Sequence, residues 1–113
     1  MSKRDELIEK YAADLSEKCG VTPDMALLTK VTEALGPAIY NPDSALVSSS
    51  SDSEMDTVRQ NFLIGKLGLG DGPELEAGLK AAIETYGSSE KQKHRAVIYY
   101  LLVKHFGKEA VYA

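Results

Sequence analysis

The run AVIYYLLV at residues 96–103 constrains the fold more than any other feature of the chain. Eight consecutive apolar or aromatic residues place such side chains on every side of the element that carries them, so that element has to be buried all round. No helix breaker interrupts the segment from Glu90 to Phe106, and the segment is longer than the roughly 10 residues that a strand normally reaches. We therefore predict a helix over about 90–106 that forms the central, buried axis of the fold.

Four earlier segments place apolar residues at helical spacing and are bounded by residues that start or stop helices. Each is followed by a glycine suited to a left-handed C-terminal cap, namely Gly20, Gly36, Gly68 and Gly87. Thr22 is the expected N-cap of the second helix, and Ser51 with Glu54 has capping-box spacing at the start of the third.

The predicted fold is all-α, with about five helices in an irregular bundle around the C-terminal helix. Two helical hairpins, about 4–36 and 53–87, and the final helix make up a single domain in this interpretation. A long loop over 37–52 separates the hairpins. Because loops of this length are uncommon in compact domains and often functional, the loop is a candidate part of a binding site.

Cysteine content and the N-terminus indicate a compartment. Cys19 is the single cysteine among 113 residues and forms no internal disulfide, which suits a reducing environment. The charged N-terminus lacks the apolar region of a signal peptide, and the run at 96–103 is much shorter than the roughly 20 residues of a transmembrane helix. We expect a cytoplasmic protein without membrane contact.

Charge is divided unevenly along the chain. Residues 1–90 carry eight basic and sixteen acidic side chains, whereas residues 91–113 carry five basic side chains and one acidic. The simplest interpretation is that a basic final helix packs into an acidic bundle. The net charge of −4 argues against nucleic acid as a partner.

Reactive residues do not form a recognisable catalytic or metal-binding motif. His94 and His105 are 11 positions apart, which separates them by roughly 16 Å along a helix and prevents them from sharing a metal. Cys19 lies at the negative end of the first helix dipole, which raises the pKa of a thiol. We predict no cofactor and no metal, and we favour a protein without enzymatic activity.

A competing hypothesis is a binding site where the long loop meets the basic start of the last helix. The candidate binding residues are Tyr40, Asn41, Asp43, Lys91, His94 and Arg95. Their side chains combine hydroxyl, amide, carboxylate and cationic groups, which suits a small molecule or an anion.

The chain carries the segments GVTPDM (20–25), LGPAIYN (35–41), NFLI (61–64) and RAVIYYLLVKHFGKE (95–109). In these segments together it resembles a small bacterial family catalogued as domain of unknown function 2853. The resemblance spans nearly the whole chain and implies a stand-alone, single-domain cytosolic bacterial protein. It implies no activity and assigns no functional residue.

Three functions follow as hypotheses. The first is a non-enzymatic interaction module, for which homodimerisation is the first property to test, because an axial helix that is apolar on all sides needs cover that a second copy supplies. The second is a small-molecule or anion-binding protein, or an enzyme, with its site between loop 37–52 and the last helix. The third is nucleic-acid binding through the basic C-terminal helix.

Overall fold

Helices account for nearly all the regular structure of the chain. The computed structural model describes residues 2–48, 51–87, 90 and 92–112. The α-helices are α1 (Lys3–Glu17), α2 (Met25–Leu35), α3 (Pro42–Ala45), α4 (Asp52–Thr57), α5 (Pro73–Tyr86) and α6 (Arg95–Phe106). Two 3₁₀ helices cover Gly36–Tyr40 and Glu109–Tyr112, and a π-helical segment, Val58–Ile64, continues α4. The described residues contain no strand, only an isolated bridge, so the all-α prediction is confirmed.

The last helix is the axis of the bundle, as the sequence predicts. Within the run at 96–103 every residue is buried except Tyr99, which is half-buried. α6 packs against α1, α2 and α5, and these neighbours enclose it in a single copy of the chain. The hydroxyl of Tyr100 accepts a hydrogen bond from the Asp24 amide at 2.8 Å, which ties the axis to the start of α2. None of the described helices has the length and apolar character needed to cross a bilayer.

α6 begins at Arg95, five residues later than predicted. The residues just before Arg95 form backbone contacts with the segment before α4 instead of a helical turn. The Val47 amide donates a hydrogen bond to the Lys93 carbonyl at 2.8 Å, and Leu46 and His94 form an antiparallel bridge. This long-range backbone pairing, which local propensity does not encode, replaces the first turn of the expected helix.

Side-chain caps set the first turns of α1, α2 and α4. Asp24 caps α2, because its Oδ1 accepts from the Leu27 amide at 3.2 Å, so the prediction that Thr22 is the cap is wrong by two residues. At α4 the predicted cap is confirmed: Ser51 Oγ accepts from the Glu54 amide at 3.2 Å. Gly20 has a φ of +66°, the left-handed conformation expected of a helix stop.

The segment 37–52, predicted as a long loop, contains regular structure. The first 3₁₀ helix and α3 occupy most of its first half. The 3₁₀ helix begins at Gly36 with Pro37 in its first turn, and the Ala45 amide donates to the Asn41 carbonyl at 2.7 Å to close α3. Short helices of this kind keep the backbone groups of the segment satisfied while it crosses the surface of the bundle.

A glycine allows α5 to pack closely against the end of α6. A Cβ atom placed on Gly78 would lie 2.6 Å from Phe106 Cε2 and 3.1 Å from His105 Cδ2. Only a residue without a side chain permits this approach. The close contact brings α5 onto the axis along its buried face, which contains Leu75, Leu79 and Ala82.

Candidate functional site

The backbone brings the loop and the start of α6 together, as the predicted binding site requires. The bridge between Leu46 and His94 and the hydrogen bond from Val47 to Lys93 join the two segments. The residues that carry the predicted site differ, however, in where their side chains lie.

Arg95 is held inside the fold by three elements. Its Nε donates to the Ser44 carbonyl at 2.6 Å, its Nη2 binds the Glu54 carboxylate, and its Nη1 donates to the Tyr99 hydroxyl at 3.2 Å. Only 12% of the side chain is exposed. The guanidinium therefore joins the end of α3, the start of α4 and α6, and its donors are used within the protein.

The remaining candidates from the loop are dispersed. Tyr40 is exposed over 48% of its surface, and Asn41 is exposed at the end of the first 3₁₀ helix. Asp43 belongs to α3, but its side chain lies outside the part that the structure describes, as does the whole of Lys91.

The side chain of His94 faces α1 and α5. Its Nε2 lies 3.8 Å from Asp14 Oδ2, and its ring centroid lies 5.3 Å from that of Tyr11. The Tyr86 hydroxyl donates to Asp14 Oδ2 and accepts the His94 backbone N–H at 3.3 Å. We refer to Asp14, Tyr86 and His94 as the polar cluster.

A second layer covers the polar cluster towards solvent. Lys18 Nζ lies 3.9 Å from Asp14 Oδ1 and 2.8 Å from Glu90 Oε2. Lys93 is buried, and its Nζ donates to the Glu90 carbonyl at 2.5 Å. The cluster and its cover thus link α1, the end of α5 and the segment before α6.

Burial controls the ionisation of these groups. It lowers the pKa of His94, against the pull of the neighbouring Asp14 carboxylate, and so favours the neutral imidazole. Burial and the hydrogen bond to Asp14 raise the pKa of Tyr86, so its hydroxyl stays protonated and donates a hydrogen bond to the Asp14 carboxylate. Burial is also the main cause that raises the pKa of Cys19 to about 11, so its thiol is not activated.

Sequence reasoning missed Asp14 and the pairing of Tyr86. The available signal is that Asp14 follows Leu7 by seven residues and Tyr11 by three, which places a carboxylate on the apolar face of α1. A carboxylate in that position requires a buried donor. The hydrogen bonds of Tyr86 with Asp14 and with the His94 backbone make the cluster a tie between elements. Among the described residues no group of three potential ligands is arranged to hold a metal ion.

An open, apolar depression lies between α4 and α5. Met55 of α4 and Leu79 and Ile83 of α5 form its floor, in two adjoining cavities of about 370 and 330 Å³. Leu79 is buried, but Met55 and Ile83 are only half-buried, although their spacing in the sequence is that of core residues. We call this surface the α4–α5 groove.

The rim of the α4–α5 groove is predominantly acidic. Four carboxylates surround it, together with two cationic side chains: Asp52, Asp56, Glu76, Glu84, Arg59 and Lys80. Arg59 is already bound to Asp56 at 2.5 Å and to Asp71 at 2.6 Å. Asp52, Glu76 and Glu84 form no ion pair with any described residue, so their charge faces outward.

These features define a small all-helical protein with an open, apolar, acidic-rimmed groove between two of its helices. The chain belongs to the family described as protein of unknown function (DUF2853), whose model matches residues 10–110. The match confirms the resemblance seen in the sequence. No curated protein matches the chain.

Proposed function

We propose that this protein is a non-enzymatic interaction module that binds a basic, amphipathic helix of a partner protein in the α4–α5 groove. The observation that carries the proposal is the combination of a half-buried apolar floor with outward-facing carboxylates on its rim. Helix-in-groove binding uses this arrangement, with apolar anchors on one face of the ligand helix and charges beside them.

The size of the groove suits a short helix. Glu76 and Glu84 are eight residues apart on α5, which corresponds to about 12 Å of helix axis, or roughly two turns. A ligand helix of two to three turns would place two or three apolar anchors over Met55, Leu79 and Ile83. Lysine or arginine residues beside those anchors would then meet Glu76 and Glu84, and the charges would favour rapid, specific association.

A second copy of this chain is a poorer occupant. The hypothesis of a homodimer depends on an uncovered face of α6, and α6 is enclosed within one copy. The exposed basic residues of the C-terminal part, such as Lys104, stand on a helix whose apolar residues are already buried. α6 therefore has no free apolar face to offer the groove.

The arrangement of the basic residues also favours this proposal over nucleic-acid binding. Lys93 is 2% exposed, and the guanidinium of Arg95 is engaged by Ser44, Glu54 and Tyr99. Two of the five basic side chains after residue 90 are thus directed into the fold instead of towards a phosphate backbone.

We further propose that the module acts as a single domain in the cytoplasm of a bacterium. The half-buried, free thiol of Cys19 supports a reducing compartment. The bacterial source is what the family resemblance implies.

The test is a binding titration with a designed peptide. A fluorescein-labelled helical peptide of about 14 residues carries leucine at positions i, i+3, i+4 and i+7 and lysine on both flanks. We expect saturable binding by fluorescence anisotropy. Replacing its lysines with glutamate should abolish the binding, because the groove rim would then repel the peptide.

Charge reversal on the protein locates the site. The variant Glu76→Lys/Glu84→Lys should weaken binding about tenfold or more, and the matched variant Glu9→Lys/Glu17→Lys, with the same net charge, should bind like the wild type. Equal weakening by both variants, or no binding by the wild type, would overturn the proposal. A dimer in solution that Glu76→Lys/Glu84→Lys dissociates would assign the groove to a second copy instead.

A further inference from the structure

A separate cavity of about 110 Å³ lies where α2, the π-helical segment, α6 and the C-terminal 3₁₀ helix meet. It shares no lining residue with the α4–α5 groove. Val31 and Leu35 of α2 form one wall, and Phe62, Tyr99 and Tyr112 form the others. We call it the aromatic pocket.

Two of its rings are fixed against each other. Phe62 and Tyr99 are stacked with their centroids 3.7 Å apart and an interplanar angle of 16°. Because Phe62 is buried in the core and Tyr99 is held by Arg95, this wall is flat and preformed. A preformed apolar wall binds a ligand without the cost of ordering side chains.

Tyr112 lines the aromatic pocket, and its hydroxyl is open to solvent and so to a ligand. Tyr112 is only 9% exposed, and no described residue hydrogen-bonds its hydroxyl. Burial is the main cause that raises the pKa of Tyr112 to about 12, with a smaller effect from Tyr99, so the group is a protonated donor at neutral pH. The Tyr99 hydroxyl accepts from Arg95, which leaves its own hydrogen for a further acceptor.

A cation stands beside these donors. Lys66 Nζ lies 5.2 Å from the centroid of the Tyr112 ring and forms no ion pair with a described residue. The pocket therefore combines apolar walls with the ammonium group of Lys66 and the hydroxyl of Tyr112. These polar groups both complement an acceptor that carries negative charge.

We propose that the aromatic pocket binds a small monocarboxylate with an apolar tail, whose carboxylate meets Lys66 and the Tyr112 hydroxyl and whose tail lies against Leu35 and Phe62. The volume of the pocket limits the ligand. A cavity of about 150 Å³ holds the six carbons of benzene, so the aromatic pocket, at about 110 Å³, has room for a tail of about four carbons. Phosphate would leave the apolar walls unused and lose its hydration, and it is therefore excluded as the preferred ligand.

The experiment titrates pentanoate into ¹⁵N-labelled protein and follows the amide spectrum. We expect saturable shifts centred on Lys66, Tyr99 and Tyr112, and little effect from pentan-1-ol or inorganic phosphate. Lys66→Met should weaken pentanoate binding about tenfold, because it keeps the side-chain stem and removes the charge. Lys66→Arg should restore most of the affinity.

Two controls separate recognition from folding and from the groove. Lys80→Met, which removes a lysine from the α4–α5 groove, should bind pentanoate like the wild type, as should Glu76→Lys/Glu84→Lys. Tyr112→Phe should weaken binding without changing the circular dichroism spectrum. The proposal would be overturned if pentan-1-ol bound equally well, if the shifts did not saturate, or if Lys66→Met kept the affinity of the wild type. None of these results would affect the proposed binding of a basic helix in the α4–α5 groove.

Discussion

His94 illustrates, at the scale of the residue, how surroundings decide what a side chain does. Its position at the basic start of the last helix suggests a ligand-binding role, but the fold directs the imidazole to Asp14 and Tyr86. The side chain is 10% exposed, and the Tyr11 ring packs beside it. His94 therefore contributes to stability through its neutral form.

This environment predicts a dependence of stability on pH. Burial lowers the pKa of His94 from 6.5, with Lys10 and Lys18 acting in the same direction and Asp14 and Glu90 opposing them. Below that value the unfolded chain binds a proton that the native state resists, so the free energy of unfolding falls as the pH falls. The stabilisation is complete above pH 6.5 and is lost progressively towards the folded-state pKa.

Urea unfolding at pH values from about 7.5 to about 5 measures this effect. We expect the wild type to lose stability across that range, and His94→Gln to show a flatter profile because the titrating group is gone. The exposed His105 supplies the control, and His105→Gln should keep the wild-type slope. If His94→Gln keeps the wild-type slope of unfolding free energy against pH, other titratable groups cause the pH dependence.

At the scale of the element, the sequence predicted helices well where their own residues start and stop them. α5 begins at Pro73 and is followed by Gly87, and α4 has the predicted Ser51 cap. The extent of the predicted loop was not predictable. The start of α6 was not predictable either, because backbone pairing between Leu46 and His94 decides it. Local periodicity carries no information about such a contact.

The π-helical segment is a second feature that regular spacing conceals. Gly65 N–H donates to the Gln60 carbonyl at 3.1 Å, and Leu67 N–H donates to the Phe62 carbonyl at 2.9 Å, so these bonds span five residues instead of four. Phe62 and Leu67 are both buried at a spacing of five, which is the signal that a regular helical pattern does not explain. The wider turn brings Phe62 to Tyr99 and forms part of the aromatic pocket.

The predicted site shows the same limit. The sequence offered a contact between the loop and the start of α6 only as a hypothesis, and the partners of the side chains there come from distant elements. Glu54 is 41 residues from Arg95, and Asp14 is 72 residues from Tyr86. Which buried acid meets which donor depends on how the helices pack, and a single sequence does not reveal that arrangement.

Arg95 should be the side chain that fixes α3 and the loop to the axis. Arg95→Met keeps the apolar stem but leaves the Ser44 carbonyl and Glu54 without their donor, so we expect a loss of about 2–3 kcal/mol in the free energy of unfolding. Hydrogen exchange at the Val47 amide should accelerate, because that amide pairs with the residue two positions before Arg95.

Lys104→Met is the matched control on the same helix. Lys104 pairs with Glu109 at 3.8 Å on the surface, and exposed pairs of this kind contribute about 0–1 kcal/mol. The control should therefore unfold nearly like the wild type and leave exchange at Val47 unchanged. If both variants behave alike, Arg95 does not hold the loop.

At the scale of the whole molecule, most of the unevenly distributed charged side chains lie on the surface instead of pairing inside the fold. The sequence predicts attraction between a basic last helix and an acidic bundle, and the pair of Arg95 with Glu54 is one such contact. Other acids of the first part surround the α4–α5 groove without pairing, and Lys104 pairs within the C-terminal part. Part of the acidic charge of the bundle is therefore turned outward, where the proposed basic helix would meet it.

The enclosure of α6 also has a consequence for the assembled state. The Cα radius of gyration is 12.9 Å, close to the roughly 13 Å expected for a compact chain of this length. Buried hydrophobic side chains from α1, α2, the π-helical segment, α5 and α6 form one cluster within a single copy. Folding should therefore need no second copy to complete the core.

Unfolding at different protein concentrations tests this expectation. For a chain that folds alone, the urea midpoint does not depend on protein concentration, whereas an obligate dimer becomes more stable as concentration rises. We expect the same midpoint over about a hundredfold range of concentration, and the mass of one chain by light scattering at high micromolar concentration. A midpoint that rises with concentration would show that a second copy stabilises the fold, and the homodimer would then replace the single-chain module.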